Sequence, residues 1–329
     1  MRFHKREGFA VEKNKTFNLS KIISKYSLVI ILVVMIVVCS FANENFLQFK
    51  NLMNVAKQQS VNILLALGAM LLISAGGLDL AAGSNLALAS VVALYAYKAV
   101  PSVLLTFAVA ILVAVGCNLI SGFMVTKFRT PPFIATLSMQ LMARGVALYI
   151  TQGQNQSGLG ENLQVIGQGS TLGVPNSIYI MVVIVLAVIY LTRETKLGRS
   201  VFAVGGNEEA ANASGINVNA VKMKVYAING LLTGIAATIW LSRVNSAMPN
   251  GGVSYEFDAM IATIVGGTSF SGGVGSAVGT VIGAFIVGFL NNIMNLMGID
   301  SYLQQVVRGI IIGGAVIWDI YFKNRKSSR

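Results

Sequence analysis

The chain has 329 residues, 55% of them hydrophobic and 11% charged, whereas soluble globular domains carry about 25% charged residues. Each bilayer crossing consumes about 20 apolar residues, so a chain of this composition is a membrane bundle with no room for a separate soluble domain. Its single histidine, His4, lies in the N-terminal tail, which excludes a histidine base or ligand within the membrane; no metal site and no cofactor are expected.

A basic tail over residues 1–25 precedes the first apolar run, Tyr26 to Ala42. The run lacks a small-x-small cleavage pattern, and Val38 before Cys39 is too bulky for lipoprotein processing, so an uncleaved helix is expected. Cys39 and Cys117 sit in apolar runs without paired spacing, which points to buried hydrophobes and away from a disulfide or zinc site. Further apolar windows fall at 52–74, 83–100, 102–126, 133–151, 176–192, 223–244, 257–270, 275–297 and 304–322. The fold class predicted is all-α, a polytopic transmembrane bundle over 26–322 with about ten crossings, followed by a basic tail at 323–329.

Loop charge tests that count, because Lys and Arg gather on the cytoplasmic side. With both termini inside, Lys127, Arg129, Arg193, Lys196, Arg199, Lys222 and Lys224 join the basic tails on one side. The segments assigned outside, 152–175, 245–256 and 298–303, contain no Lys or Arg and hold the acids Glu161, Glu256 and Asp300. The net charge of +12 therefore reports orientation and contact with anionic lipid, with no sign of nucleic-acid binding. Glu161 and Glu256 are expected to face the basic rim of an external protein. The two least regular windows follow Gly76-Gly77 or contain Gly266-Gly267, and each break leads to a Gly-Ser, Gly83-Ser84 and Gly275-Ser276. That parallel hints at two related halves.

Few ionisable residues fall within the apolar windows. A charge at the bilayer centre costs about 3 kcal/mol, so Asp79, beside the glycine break, is expected where backbone or water reaches it. Capping the helix that begins near Ala81 is its favoured role, with substrate contact the alternative. Arg144 is expected to face the interior or an acid. Asn62, Asn118, Gln140, Arg144 and Asn229 are candidates for a path taken by a polar solute, as are Asn291 and Asn292; interhelical hydrogen bonding is the alternative for each amide. The glycines at 275, 279, 283 and 288 are expected to pack helices closely.

The longest polar stretch between crossings, 193–222, reads as a docking element. Asn207 is a good N-cap, Glu208 and Glu209 complement the positive end of a helix dipole, Ala210 and Ala211 propagate the helix, and Gly215 supplies a left-handed stop. A helix of about two turns is unstable alone and needs a partner surface; an ordinary solvated loop is the competing reading.

Glu209-Ala210-Ala211-x-x-x-Gly215 resembles the EAA-x-x-x-G coupling loop of ABC importer permeases, without the Leu-Pro pair that usually follows. ISAGGLDLAAGSNLALAS (Ile73 to Ser90) resembles the SGGIDLSVGS signature of ribose-type and galactoside-type sugar permeases, carried here by Gly76, Gly77, Asp79, Gly83 and Ser84. YEFDAMIATIVGGTSFSGG, with Gly266, Gly267, Gly272 and Gly273, is similar to their YELDAIAAVVxGGTSxxGG segment. The resemblance implies an inner-membrane permease subunit that translocates a monosaccharide and catalyses no reaction itself. It implies three partners: a second permease copy or close paralogue, a cytoplasmic ATP-binding subunit, and an extracytoplasmic sugar-binding protein. The chain has no G-x-x-x-x-G-K-[ST] phosphate cradle, so energy must come from such a partner. The rival reading is an ion-coupled secondary transporter or facilitator of a small polar solute.

Overall fold

Apolar runs of bilayer length fold as helices because only an internally hydrogen-bonded backbone tolerates hydrocarbon. The computed structural model describes residues 19–327; the outer parts of both expected basic tails, 1–18 and 328–329, lie outside the described residues. In chain order the elements are α1 (Leu19–Ala42), α2 (Phe49–Ser74), α3 (Ala82–Ala99), α4 (Val103–Lys127), α5 (Pro132–Thr151) and α6 (Glu161–Gly167). A two-strand ribbon follows, β1 (Ser170–Thr171) and β2 (Val174–Pro175), antiparallel with Thr171 opposite Val174. Next come α7 (Asn176–Glu194), α8 (Lys196–Gly206), α9 (Glu208–Ala213), α10 (Val218–Val244), α11 (Tyr255–Val265), α12 (Ala277–Leu296) and α13 (Ser301–Ser327). Among the described residues the fold is all-α apart from the ribbon.

Among the described residues, six helices are long and apolar enough to cross a membrane: α2, α4, α5, α7, α10 and α12. Burial separates five of them into two layers, with α12 between at 50%. The apolar windows of α2 and α10 are 83% and 78% buried, whereas those of α4, α5 and α7 are only 22–28% buried. The first two therefore form the centre, and the others turn Leu112, Leu141 and Leu186 outward as a lipid-facing shell would. α1 lies against α12 over a separate apolar cluster in which Phe46 meets Phe289 edge-on at 5.5 Å.

The window at 257–270 is shorter than a crossing. α11 has 11 residues, about 16 Å at 1.5 Å per residue, or half of a hydrocarbon core of about 30 Å. Gly267 ends it at φ 88°, with Thr268 N–H donating to Thr263 O at 3.1 Å. α2 ends in the same way: Gly76 has φ 77° and Gly77 N–H donates to Leu72 O at 2.7 Å. These six-to-one bonds close each helix around a left-handed glycine.

The two breaks differ where the next helix begins. Ser276 caps α12 by accepting from Gly279 N–H at 3.1 Å. Ser84 instead lies inside α3, and Asp79 Oδ1 accepts from Ala81 N–H at 2.7 Å at that helix's start. The likeness between the two breaks thus extends to how the helices stop and not to how they restart.

Candidate functional site

Residues 193–222 form two short helices. Thr195 Oγ1 accepts from Gly198 N–H at 3.1 Å and starts α8, a helix that the docking-element reading left out. Its signal was a Thr cap followed by Val201 and Val204, both fully buried and three residues apart on one face. Asn207 Oδ1 accepts from Ala210 N–H at 2.9 Å and starts α9. α9 is six residues long, under two turns, and ends at Gly215 with φ 83°. Ala211 is its one buried residue, so Glu208, Glu209, Ala210 and Asn212 face outward. Glu208 is ion-paired with Lys222 on α10, which ties the short helix to a central one.

A cleft of about 880 Å³ opens beside α9, between it and the α4–α5 turn, with Gly76, Arg129, Pro131, Glu209, Asn212 and Asn217 on its walls. Gly76 brings the first helix break to the same place.

The second break arrives there through backbone contact. Gly273 N–H donates to Ser74 O, the last residue of α2, at 3.0 Å. Gly205, near the end of α8, presses on both partners: a Cβ on it would overlap the Ser74 carbonyl oxygen and lie 2.8 Å from Gly273 N. Across the same contact, a Cβ on Gly272 would meet Gly205 O at 2.7 Å. The three stretches singled out in the sequence, at 73–90, 198–218 and 255–292, therefore join at one end of the bundle through glycines that leave no space for side chains.

Asp79 lies within the first break, 4% exposed. Its Oδ1 caps the start of α3 and its Oδ2 accepts from Asn229 Nδ2 on α10 at 2.7 Å. Asn229 Nδ2 also donates to Asn118 Oδ1 on α4 at 2.7 Å. The carboxylate thus has one donor for each oxygen, a backbone N–H from Ala81 and an amide from Asn229. Asn229 fits because Gly68 on α2 has no side chain; a Cβ there would overlap Asn229 Oδ1.

Arg144, on α5, donates from one guanidinium nitrogen to Pro249 O at 2.5 Å and Gly251 O at 2.8 Å. These carbonyls belong to 245–254, irregular backbone that sinks into the protein before α11 begins. Gly252 is buried against Gly83, and Gln156 pairs with Ala247 through two backbone hydrogen bonds of 2.9 and 2.8 Å. Buried non-helical carbonyls need such donors, and Arg144 supplies one to Pro249 and Gly251. Glu256 follows in the first turn of α11, 4% exposed, and a Cβ on Gly83 would meet its Oε2 at 2.7 Å. The expectation that Glu256 faces an external protein is corrected: the side chain is buried within the protein beside Gly83. Glu161 is exposed, in the first turn of α6.

Of the remaining polar residues, Asn62 bonds within its own helix and Asn292 joins α12 to α2. Asn62 Nδ2 is 3.5 Å from Gln59 Oε1, and Asn292 exchanges amide hydrogen bonds of 2.9 Å with Asn51. Gln140 is half-buried on α5, and Asn291 is buried on α12. None of Asn62, Asn118, Gln140, Arg144 and Asn229 lines the 880 Å³ cleft. The glycines of α12 pack as close contacts: Gly279 against Gly266 O, Gly283 against Ala262 O and Gly288 against Gln59.

The family whose model is described as the permease component of a branched-chain amino acid transport system matches residues 51–316, a span that contains all three converging stretches. The chain belongs to that family. The permease is 42% identical over 294 residues to the ribose import permease protein of Escherichia coli (strain K12), covering 88% of this chain and 92% of that relative. It is 38% identical over 320 residues to the ribose import permease protein of Haemophilus influenzae, covering 95% and 99% of the two chains. It is 31% identical over 311 residues to the L-arabinose transport system permease protein of Escherichia coli (strain K12), covering 94% and 95%. No solved structure matches it. As a permease component it is a transport protein, not an enzyme.

Proposed function

We propose that this permease is the membrane-spanning subunit of an ABC importer that carries ribose or a closely related sugar across the bacterial inner membrane, driven by ATP hydrolysis in a partner subunit. The carrying observation is the convergence of the coupling segment and both helix breaks at Gly205, Ser74 and Gly273. The sugar rests on the relatives described above, two ribose import permeases and one L-arabinose permease.

In this reading a second permease copy completes the pathway, the ATP-binding subunit docks on α9, and an extracytoplasmic binding protein delivers the sugar. Asn207, Glu208, Glu209, Ala210, Ala211 and Gly215 form the docking element. Closure of the ATP-binding subunits displaces α9; the Glu208–Lys222 pair passes the displacement to α10, and the Gly205 contact passes it to both breaks. A packed interface of this kind shifts as a unit between two arrangements.

About ten crossings with both termini cytoplasmic is the sidedness we infer. Two clusters support it: 75–81, 127–132, 193–222 and 271–275, all assigned inside, meet around the cleft and the glycine contact. The segments assigned outside, 152–175 and 245–256, meet through Gln156 and Ala247. α11, beginning at Tyr255, is the short helix of the eighth traverse.

The family's description names branched-chain amino acids, so cargo is tested by competition. In cells expressing the assembled transporter, excess unlabelled ribose is expected to abolish labelled ribose uptake while leucine leaves it unchanged. Inhibition by leucine and not by ribose would overturn the sugar assignment.

A further inference from the structure

The ribbon that precedes α7 ends in a strained apolar tip. Thr171 pairs with Val174, so Leu172 and Gly173 form a two-residue turn, and both have positive φ, 53° and 78°. Positive φ at both central residues marks a type I′ turn, which ordinarily takes Asn-Gly or Asp-Gly. A leucine in the left-handed region brings its Cβ too close to the following carbonyl oxygen. Packing within the chain does little to offset this, because Leu172 is 95% exposed.

Hydrogen bonds fix where the tip sits. Thr171 Oγ1 donates to Asn176 Oδ1 at 2.7 Å, and Tyr179 Oη donates to Thr171 O at 3.0 Å. Tyr179 belongs to the outward stripe of α7: Tyr179, Val182, Val183, Leu186 and Tyr190 fall at i, i+3, i+4, i+7 and i+11 and are all exposed. Only 22% of the apolar window of α7 is buried, so this stripe meets lipid. A tyrosine at the start of such a stripe lies at headgroup level, its ring in apolar surroundings and its hydroxyl in the polar zone. The ribbon is therefore tethered at that level over the lipid-facing side of α7, at the end of the helix away from α8.

We propose that Leu172 is a membrane anchor: the ribbon tip inserts the leucine side chain between the headgroups and upper acyl chains of the leaflet opposite the coupling segment. Taking the side chain out of water supplies the favourable burial that the strained turn lacks within the chain. The lipid can be zwitterionic, since 152–175 contains no Lys or Arg to prefer anionic headgroups. The anchor reaches the centre of the bundle: Asn176 Nδ2 donates to Val165 O on α6 at 2.8 Å, and Gly167 N–H of α6 donates to Ser242 Oγ on α10 at 2.7 Å. It sets the depth at which α6 and the end of α10 sit in the bilayer. The anchor needs only that α7 crosses the membrane, whatever solute is carried.

The test uses the full-length permease assembled with its ATP-binding subunit in lipid nanodiscs, in a Cys39→Ser, Cys117→Ala background. Leu172→Cys is labelled in detergent, before reconstitution, with an environment-sensitive fluorophore. Emission is then quenched either by iodide or by phospholipid spin-labelled near the top of its acyl chains. Val183→Cys, on the exposed stripe of α7, is the lipid reference, and Glu161→Cys, at an exposed acid on α6, is the water reference. The label at position 172 is expected to shift to the blue, to lose emission to spin-labelled lipid as the one at 183 does, and to resist iodide. The same result is expected in phosphatidylcholine discs and in discs containing phosphatidylglycerol. Quenching by iodide and not by lipid, as at position 161, would overturn the anchor, and so would lipid quenching confined to phosphatidylglycerol discs. Shielding from iodide that appears only when binding protein is added, or a disulfide between two permease copies at position 172, would assign the tip to a protein contact and overturn it equally.

Discussion

Asn229 donates to Asp79 Oδ2 at 2.7 Å across 150 residues of chain, joining the central helix α10 to the first helix break. The same nitrogen reaches Asn118, so one amide holds α4, α10 and the start of α3 in register. Asn229→Ala strips a donor from a buried carboxylate and is expected to cost about 1.5–3 kcal/mol, the range for hydrogen bonds to charged groups. Asn118→Ala removes a neutral interhelical bond and is expected to cost about 0.6 kcal/mol. Reversible unfolding of the detergent-solubilised permease measures both. Equal losses would show that Asp79 does not depend on Asn229.

The glycine contact predicts a split between neighbours. Gly205→Ala forces apart α8, Ser74 and Gly273, whereas the nearest atom to a Cβ on Gly206 is Gly273 Cα at 4.0 Å, an ordinary contact. In the assembled transporter Gly205→Ala is expected to lower solute moved per ATP hydrolysed, and Gly206→Ala to leave that ratio unchanged. A merely structural role for Gly205 would reduce assembled complex and leave the ratio intact.

A Cβ on Gly215 would meet no atom within 4 Å, and the residue has φ 83°, so a substitution there meets strain without a clash. Left-handed backbone costs about 1–2 kcal/mol for an ordinary residue, while Asn tolerates it. Gly215→Val is expected to uncouple ATP hydrolysis from uptake, and Gly215→Asn to retain most coupling. Equal uptake rates for the two variants would remove the turn from the coupling mechanism.

Arg144→Met leaves the carbonyls of Pro249 and Gly251 without their donor. Each buried acceptor left unpaired costs about 1–3 kcal/mol, so the segment 245–254 is expected to loosen. Hydrogen exchange at 245–254 should rise and uptake should fall, with Arg144→Lys intermediate because an ammonium still donates but lacks the fixed guanidinium geometry. Unchanged exchange in Arg144→Met would contradict the anchoring role.

The long apolar helices were legible in the sequence because apolar length and loop punctuation are local properties, whereas the short amphipathic α8 was not. Asn207 and Gly215 were readable for the same reason: a cap and a left-handed stop act within one turn. Asp79 was placed as a cap, yet its second partner, Asn229, lies too far along the chain for any local pattern to reveal. The partial burial of 245–254 escaped detection because its polar loop composition reads as exposed; only Arg144, an expensive residue in an apolar window, hinted that a buried acceptor lay nearby.

If ATP hydrolysed by a partner drives uptake through α9, transport must depend on that partner. Vesicles carrying the permease, its ATP-binding subunit and its binding protein test this most directly, with ribose uptake measured with ATP inside and then with a proton or sodium gradient instead. Uptake is expected only with ATP and all three components, and to be lowered per ATP hydrolysed in Gly205→Ala. Uptake driven by the gradient with the permease alone would contradict the ATP-driven mechanism.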